Sequence, residues 1–136
     1  MNSRFTTSRA SRCFAWFILP AILLALCSAA LAGTAAIGDL VGTWVRPDGG
    51  YKMVVKSIEK DGKAEVQYFN PNPIHVAEAT ASLKDGSVTL FVKFEDVNYT
   101  GSTYNLTLAP DKNRLAGKYF QATQKETFEI FFERQP

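Results

Sequence analysis

The sequence predicts an all-β protein in which eight antiparallel strands form an up-and-down meander that closes into a β-barrel. After Ala32, apolar and polar residues alternate with a period of two, and no stretch has helical periodicity. Turn residues interrupt this pattern at short intervals, and no connection is long enough for a Greek-key crossover. An open meander would leave two unpaired edges, which pairing of strand eight with strand one removes.

Residues 1–32 are a different kind of sequence from the remainder. Three arginines and no acidic residue precede an uncharged apolar run over residues 14–32, which ends in Ala30-Leu-Ala32. A basic start, an apolar middle and small residues at the end are typical of a secretory signal peptide, here with cleavage before Gly33. We therefore expect the protein to be exported from a bacterial cytoplasm, to the periplasm or the medium.

Two alternatives to cleavage remain open. The apolar run approaches the length of a membrane span, so the segment could stay as an uncleaved N-terminal helix, although Pro20 disfavours this. Residues 24–27 also resemble a bacterial lipoprotein box, which would place a lipid anchor on Cys27. That box departs from the pattern at Leu26, where a small residue is expected.

Composition excludes several classes of function. Both cysteines, Cys13 and Cys27, lie in the signal segment, so the mature chain has neither thiol chemistry nor cysteine metal ligands. The segment also holds three of the fifteen basic residues, which leaves twelve against thirteen acidic ones and a mature net charge of −1. This balance gives no electrostatic basis for binding nucleic acid or anionic membrane. We expect no membrane span in the mature chain.

The mature chain divides into a flexible lead-in, residues 33–39, and a barrel domain, residues 40–136. Five strands are predicted at Leu40–Arg46, Tyr51–Lys60, Lys63–Asn70, Ile74–Lys84 and Ser87–Asp96, and three more contain Leu106, Gly117 and Ile130. Strand five has the clearest alternation, with Val88, Leu90, Val92 and Phe94 facing inward.

Turn residues fix the connections between these strands. Asp61-Gly62 and Asp85-Gly86 predict tight type I′ hairpins, whose two central residues need positive φ. Strand two has an imperfect alternation, since Ile58 falls on the face opposite to Tyr51 and Val55. A one-residue bulge near Lys56–Ser57 would restore the register.

Closure of the barrel predicts a specific contact between its first and last strands. The C-terminal Arg134 comes beside the beginning of strand one, where Gly42 and Trp44 face the same side. We call these three residues the latch. A guanidinium over an indole face contributes about 0.5–2 kcal/mol and would here cap the end of the barrel.

Gly42-Thr-Trp44 on the first strand and an arginine on the last strand resemble the G-x-W and arginine arrangement of the lipocalin-like (calycin) barrels, which include the avidins. The resemblance implies that this pair is structural and that the barrel binds a small apolar ligand. The chain lacks the N-terminal helix and the length of a true lipocalin. It also lacks the additional tryptophans that line the biotin site of avidins, so biotin is not implied.

The candidates for catalysis and metal binding are weak. His75 is the only histidine, and with no cysteine in the mature chain a zinc or copper site is not expected. No nucleophile elbow is present, and Glu95-Asp96 point to opposite faces of a strand. We therefore predict a protein that is not an enzyme and uses no cofactor.

The binding site is predicted at one end of the barrel. Connections 1–2, 3–4, 5–6 and 7–8 are longer than those at the other end, and function on a rigid scaffold is often carried by such loops. The residues expected near this longer-loop rim are Asn72, His75, Asn98, exposed Tyr99 and Gln121. Tyr68, Tyr104 and Tyr119 face inward, where their hydroxyls either line a cavity or reach the rim and meet water or backbone.

These observations predict a non-catalytic barrel that binds a small apolar ligand or a protein partner. The expected cavity would be lined by Tyr68, Leu90, Phe94, Leu106 and Tyr119. The alternative is a barrel with a solid core that acts as an interaction or inhibitor module through the same rim. An interior cavity larger than about 300 Å³ favours the first hypothesis.

Overall fold

A computed structural model of the chain describes residues 34–136. The predicted signal peptide, its cleavage site before Gly33 and the alternative anchor at Cys27 lie outside the described residues. The described part contains a short 3-10 helix, Ile37–Leu40, and nine strands: β1 (Gly42–Val45), β2 (Lys52–Ile58), β3 (Ala64–Phe69), β4 (Pro73–Ile74), β5 (Val76–Lys84), β6 (Ser87–Phe94), β7 (Thr103–Leu108), β8 (Arg114–Gln121) and β9 (Glu126–Gln135).

All nine strands belong to one antiparallel sheet, which confirms the predicted all-β class. Their order in the sheet is β4-β3-β2-β1-β9-β8-β7-β6-β5. The C-terminal strand therefore pairs with the first one, with Trp44 directly opposite Arg134. The remaining pairs join strands that are consecutive in the chain.

The sheet is not closed, and it has nine strands rather than the predicted eight. The predicted strand four is interrupted at His75, so that β4 pairs only with β3 and β5 pairs with β6. Between β3 and β5 the ladder is reduced to one bridge, Lys63–Thr80, supported by a hydrogen bond of 2.7 Å from Ala81 N–H to the carbonyl of Gly62. The predicted closed barrel is therefore not confirmed.

The interruption at His75 has a local cause. The carboxylate of Asp96 accepts hydrogen bonds from the backbone N–H groups of His75, at 2.8 Å, and Val97, at 2.7 Å. These two bonds hold the pKa of Asp96 below its ordinary value. They also occupy the backbone donor that an unbroken strand would use. Pro73, which has no N–H, limits pairing on the other side.

Two of the three local predictions about turns and bulges are confirmed. In β2, Val55 pairs with Val66 and Ser57 pairs with Glu65, so Lys56 is the extra residue of the predicted bulge. Asp85 and Gly86 have φ of 51° and 75°, as a type I′ hairpin requires. At the other turn only Gly62 has positive φ, so the predicted type I′ geometry is wrong there.

The core lies along the inner face of the sheet. The predicted inward residues of strand five are all fully buried. The 3-10 helix lies at the end with the short turns and inserts Leu40, also fully buried, into this core. The lead-in is tied down here, because Asp39 accepts a hydrogen bond of 2.7 Å from Ala36 N–H and lies 3.0 Å from the ammonium of Lys112.

Arg134 stacks on Trp44 at the same end of the sheet. Its guanidinium carbon lies 4.2 Å from the centroid of the indole ring, and the ring N–H donates to the carbonyl of Leu40 at 2.9 Å. Arg134 itself donates to the carbonyls of Lys112, at 2.9 Å, and Val41, at 3.1 Å. The side chain thus joins two separate segments of backbone, the lead-in and the turn at Lys112, to the core.

Gly42 makes room for this arrangement. Its φ is +140°, and a Cβ at this position would lie 2.8 Å from Nη1 of Arg134. An L side chain would therefore meet both backbone strain and a clash with the guanidinium. This is a physical reason for glycine two residues before the tryptophan.

We expect Trp44→Ala to lower the free energy of unfolding by about 3–5 kcal/mol, because it removes a fully buried indole and the surface on which Arg134 stacks. Urea denaturation followed by circular dichroism measures this change. Arg114→Gln is a matched control, since Arg114 also stacks on an aromatic ring, Phe131, but is half-exposed. An unchanged midpoint for Trp44→Ala would contradict a structural role for the latch.

Candidate functional site

A cavity of about 510 Å³ lies at the end of the sheet that carries the longer connections. Its wall is formed by residues of four strands, β3, β7, β8 and β9, and of the loops at this end of the sheet. The lining combines aromatic rings with amide and charged side chains. The lining residues are Arg46, Asp48, Tyr51, Tyr68, Asn70, Asn98, Tyr99, Tyr104, Tyr119, Gln121, Phe128, Glu129 and Ile130.

Strand pairing brings the aromatic rings together. Tyr104 of β7 is directly opposite Tyr119 of β8, which in turn is opposite Phe128 of β9. The ring centroids of Tyr104 and Tyr119 are 4.8 Å apart, and Tyr68 meets Tyr104 edge-on at 5.6 Å. Three neighbouring strands and β3 across the sheet therefore present one continuous aromatic surface.

A chain of polar contacts runs from the mouth of the cavity to its floor. Asp48 accepts a hydrogen bond of 2.9 Å from Nε of Arg46 and also pairs with Nη2. Nη1 of Arg46 donates to the hydroxyl of Tyr104 at 3.3 Å, and the hydroxyls of Tyr104 and Tyr68 are 2.9 Å apart. The Arg46 guanidinium also lies 4.2 Å from the centroid of the Tyr51 ring.

Burial keeps the two phenol groups on the floor of this cavity protonated. Desolvation raises the pKa of Tyr104 to about 12, against the opposing hydrogen bonds from Tyr68 and Arg46. Burial also raises the pKa of Tyr68, and the neighbouring Tyr104 adds to this effect. At neutral pH both phenols are therefore uncharged hydrogen-bond donors.

Burial lowers the pKa of Arg46, but its hydrogen bonds to Asp48 and Tyr104 outweigh this and raise the pKa above its ordinary value. The same ion pair holds the pKa of Asp48 below its ordinary value. Arg46 and Asp48 are therefore both charged at neutral pH.

Loop residues complete the rim. Tyr99, predicted to be exposed, is half-buried, because its ring packs edge-on against Phe94 at 6.0 Å and its hydroxyl accepts a hydrogen bond from Asn70. Fully buried Ser102 accepts a hydrogen bond of 3.1 Å from Ala122 N–H. These contacts join the loop after β6 to the ends of β3 and β8.

Six of the eight residues predicted for binding lie together on this cavity, namely Tyr68, Asn98, Tyr99, Tyr104, Tyr119 and Gln121. Asn72 and His75 do not. Asn72 is exposed, and His75 lies on a separate groove beside β3 and β4. The predicted lining by Leu90, Phe94 and Leu106 is also wrong, because these three side chains are fully buried in the core below the cavity.

Sequence reasoning missed the other seven lining residues, which are Arg46, Asp48, Tyr51, Asn70, Phe128, Glu129 and Ile130. The signal for Arg46 was available, since it continues the face of Gly42 and Trp44 at a period of two. Tyr51 and Phe128 stand on the inward faces of their strands in the same way. Asn70 had no comparable signal, because its position depends on how the chain turns before β4.

Within residues 34–136, no group of three or more histidine, cysteine or acidic residues is arranged to hold a metal ion. In the same part of the chain, no helix has the length and apolar character needed to cross a membrane.

Comparisons of this chain with protein-family models, with curated proteins and with solved structures gave no match. An assignment of function therefore depends on the chemistry of the cavity.

We expect the two buried phenols to make the fold sensitive to alkali. The unfolded chain releases these protons near pH 10, whereas folded Tyr104 retains its proton to about 12. Between these values the unfolded state binds fewer protons, so the free energy of unfolding falls as pH rises, by about 2–3 kcal/mol for this one group.

Urea denaturation from about pH 9 to 12 measures this dependence. The slope should be smaller in Tyr104→Phe, which lacks the titrating group, whatever its stability at neutral pH. An identical slope in both proteins would contradict the prediction.

Proposed function

We propose that the protein is an exported, non-catalytic binding protein that takes one small molecule into the tyrosine-lined cavity. The lining of the cavity carries this proposal: five tyrosine rings and the guanidinium of Arg46 surround a volume of about 510 Å³, which falls within the range of roughly 300–1,000 Å³ typical of small-molecule sites. The curved sheet would serve as a lipocalin-like barrel, and the N-terminal segment as its signal peptide.

The arrangement of the core supports a rigid site. Directly below the cavity, Phe94, Leu106 and Phe132 are fully or almost fully buried. The rings of Phe94 and Phe132 pack edge-on against Tyr104, at 5.6 Å and 5.4 Å. The floor is therefore held from beneath, so that little conformational freedom is lost when a ligand binds.

The lining indicates a ligand with both apolar and polar parts. Aromatic faces suit a flat or apolar body, and a few fixed polar groups provide orientation. This differs from the purely apolar ligand expected from the resemblance, because Arg46, Asn70, Asn98 and Gln121 share the wall with the rings.

The chemistry of the polar groups favours binding over catalysis. A general base needs a pKa near the working pH, whereas burial moves the pKa of Tyr68 and Tyr104 upward and away from it. The carboxyl group of Asp48 has a lowered pKa and is held by Arg46. We therefore propose no reaction.

A protein partner at the same rim is a second candidate. Phe128, which lines the cavity, is 41% exposed. Val97, which is adjacent to the lining residue Asn98, is 78% exposed. Exposed apolar side chains near a concave site are a common feature of docking surfaces.

The neutral fluorescent probe N-phenyl-1-naphthylamine tests the small-molecule proposal with protein expressed from the full chain. We expect saturable fluorescence enhancement. Gln121→Trp places a large ring in the cavity and should lower the affinity at least tenfold. Ala116→Trp is the matched control, because Ala116 is on the same strand, exposed and outside the cavity.

Both variants should retain the circular dichroism spectrum and melting temperature of the parent protein. Equal probe binding by Gln121→Trp and the parent would place the probe elsewhere. No enhancement in any protein would contradict the small-molecule proposal and leave the protein partner as the candidate.

A further inference from the structure

The cavity is polarised along its depth. At its buried end are hydrogen-bond donors: the hydroxyls of Tyr68 and Tyr104, which are 2% and 1% exposed, and the guanidinium of Arg46, whose side chain is 11% exposed. Its two acidic residues are at the open end, with side-chain exposures of 60% for Asp48 and 77% for Glu129. A ligand whose hydrogen-bond acceptor enters the cavity ahead of the rest of the molecule meets donors throughout the buried part.

Counting hydroxyl hydrogens shows that one donor is available to a ligand in the cavity. Tyr68 and Tyr104 carry two hydroxyl hydrogens, and the bond between their oxygens uses one of them. Arg46 donates to Tyr104, so that contact uses neither. In the hydrogen bonds formed within residues 34–136, the second hydrogen has no protein acceptor. This hydrogen is therefore available to an acceptor that enters the cavity.

Arg46 is held in place independently of Asp48. Its guanidinium stacks on Tyr51 and donates to Tyr104, and both partners remain if Asp48 moves away. Asp48 stands on the exposed turn Pro47-Asp-Gly-Gly50 and makes an ion pair partly in solvent, which contributes little stability. Asp48, the partner of Arg46 at the mouth, is therefore exchangeable, whereas the position of the Arg46 guanidinium is fixed.

On the basis of the proposed function, we infer that the ligand is an aromatic carboxylic acid. Its carboxylate accepts hydrogen bonds from Arg46 and from the spare hydroxyl of the Tyr68–Tyr104 pair, and its ring lies against Tyr119 and Phe128. Arginine presents a planar fork that matches a carboxylate. Asp48 occupies this fork in the absence of ligand and acts as an internal competitor.

Naphthalene-2-carboxylate and its neutral amide, naphthalene-2-carboxamide, test this inference, because they share a ring system and differ in charge. Isothermal titration calorimetry with the parent protein should show at least a tenfold preference for the acid. Asp48→Asn should bind the acid at least threefold more tightly, since the competing charge is removed. Arg46→Gln should lose at least tenfold more affinity for the acid than for the amide.

The matched controls use a second arginine, which stacks on a ring and pairs with a carboxylate outside the cavity. Arg114 stacks on Phe131 at 4.4 Å and pairs with Glu133 at 3.5 Å, so Arg114→Gln and Glu133→Gln remove equivalent charges. Neither should alter the preference for the acid. Arg46→Lys keeps the charge without the fork, and should recover only part of the preference; melting curves verify that each variant is folded.

The outcomes separate this inference from the proposed function. Equal affinity for acid and amide would overturn the inference and leave a small-molecule site. Weaker acid binding by Asp48→Asn would overturn the role of Asp48 as competitor. Binding of N-phenyl-1-naphthylamine without binding of the acid would overturn the inference alone, and failure of all three compounds would overturn both.

Discussion

The pairing of β1 with β9, held by Arg134 on the indole of Trp44, sets the position of everything else in this structure. Because side chains alternate along a strand, the register that puts Trp44 opposite Arg134 also puts Arg46, two residues further on, at the cavity. A slip of one residue would turn both side chains to the other face of the sheet. The end that holds the latch and the end that carries the cavity are thus two consequences of one register.

Between these ends the sheet combines a filled core with a polar cavity. The buried hydroxyls can be tolerated in this position because each oxygen takes part in at least one hydrogen bond, and no buried side-chain nitrogen or oxygen in residues 34–136 lacks a partner. Polar groups of this kind specify one arrangement of neighbouring side chains more narrowly than apolar packing does, since their geometry is directional. The rings around them are in turn fixed by the core below.

The alternation of residues predicted the strands, the inward face of β6 and most of the cavity, because period two is a local property of the chain. It did not predict the interruption at His75, which depends on Asp96 reaching the backbone from a distant loop. The prediction of Asn72 and His75 at the rim depends only on the end of the sheet at which their loop lies. In the structure neither residue lines the cavity. Asp61-Gly62 was assigned from turn statistics, whereas Oδ1 of Asp61 accepts the N–H of Lys63 and a wider turn results. A long-range hydrogen bond decided the case of His75, and a local hydrogen bond between side chain and backbone decided that of Asp61.

Three arginines within residues 34–136 stack on aromatic rings, and what their N–H groups meet distinguishes their roles. Arg134 on Trp44 donates to backbone carbonyls, which cannot leave without unfolding the segments that carry them. Arg114 on Phe131 faces Glu133 on the outer surface, where solvent screens the pair. Arg46 on Tyr51 is mostly buried, yet its carboxylate partner is 60% exposed on a turn. Only this third arrangement joins a fixed cation to a replaceable anion beside a cavity, which is the combination that reversible recognition of a carboxylate requires.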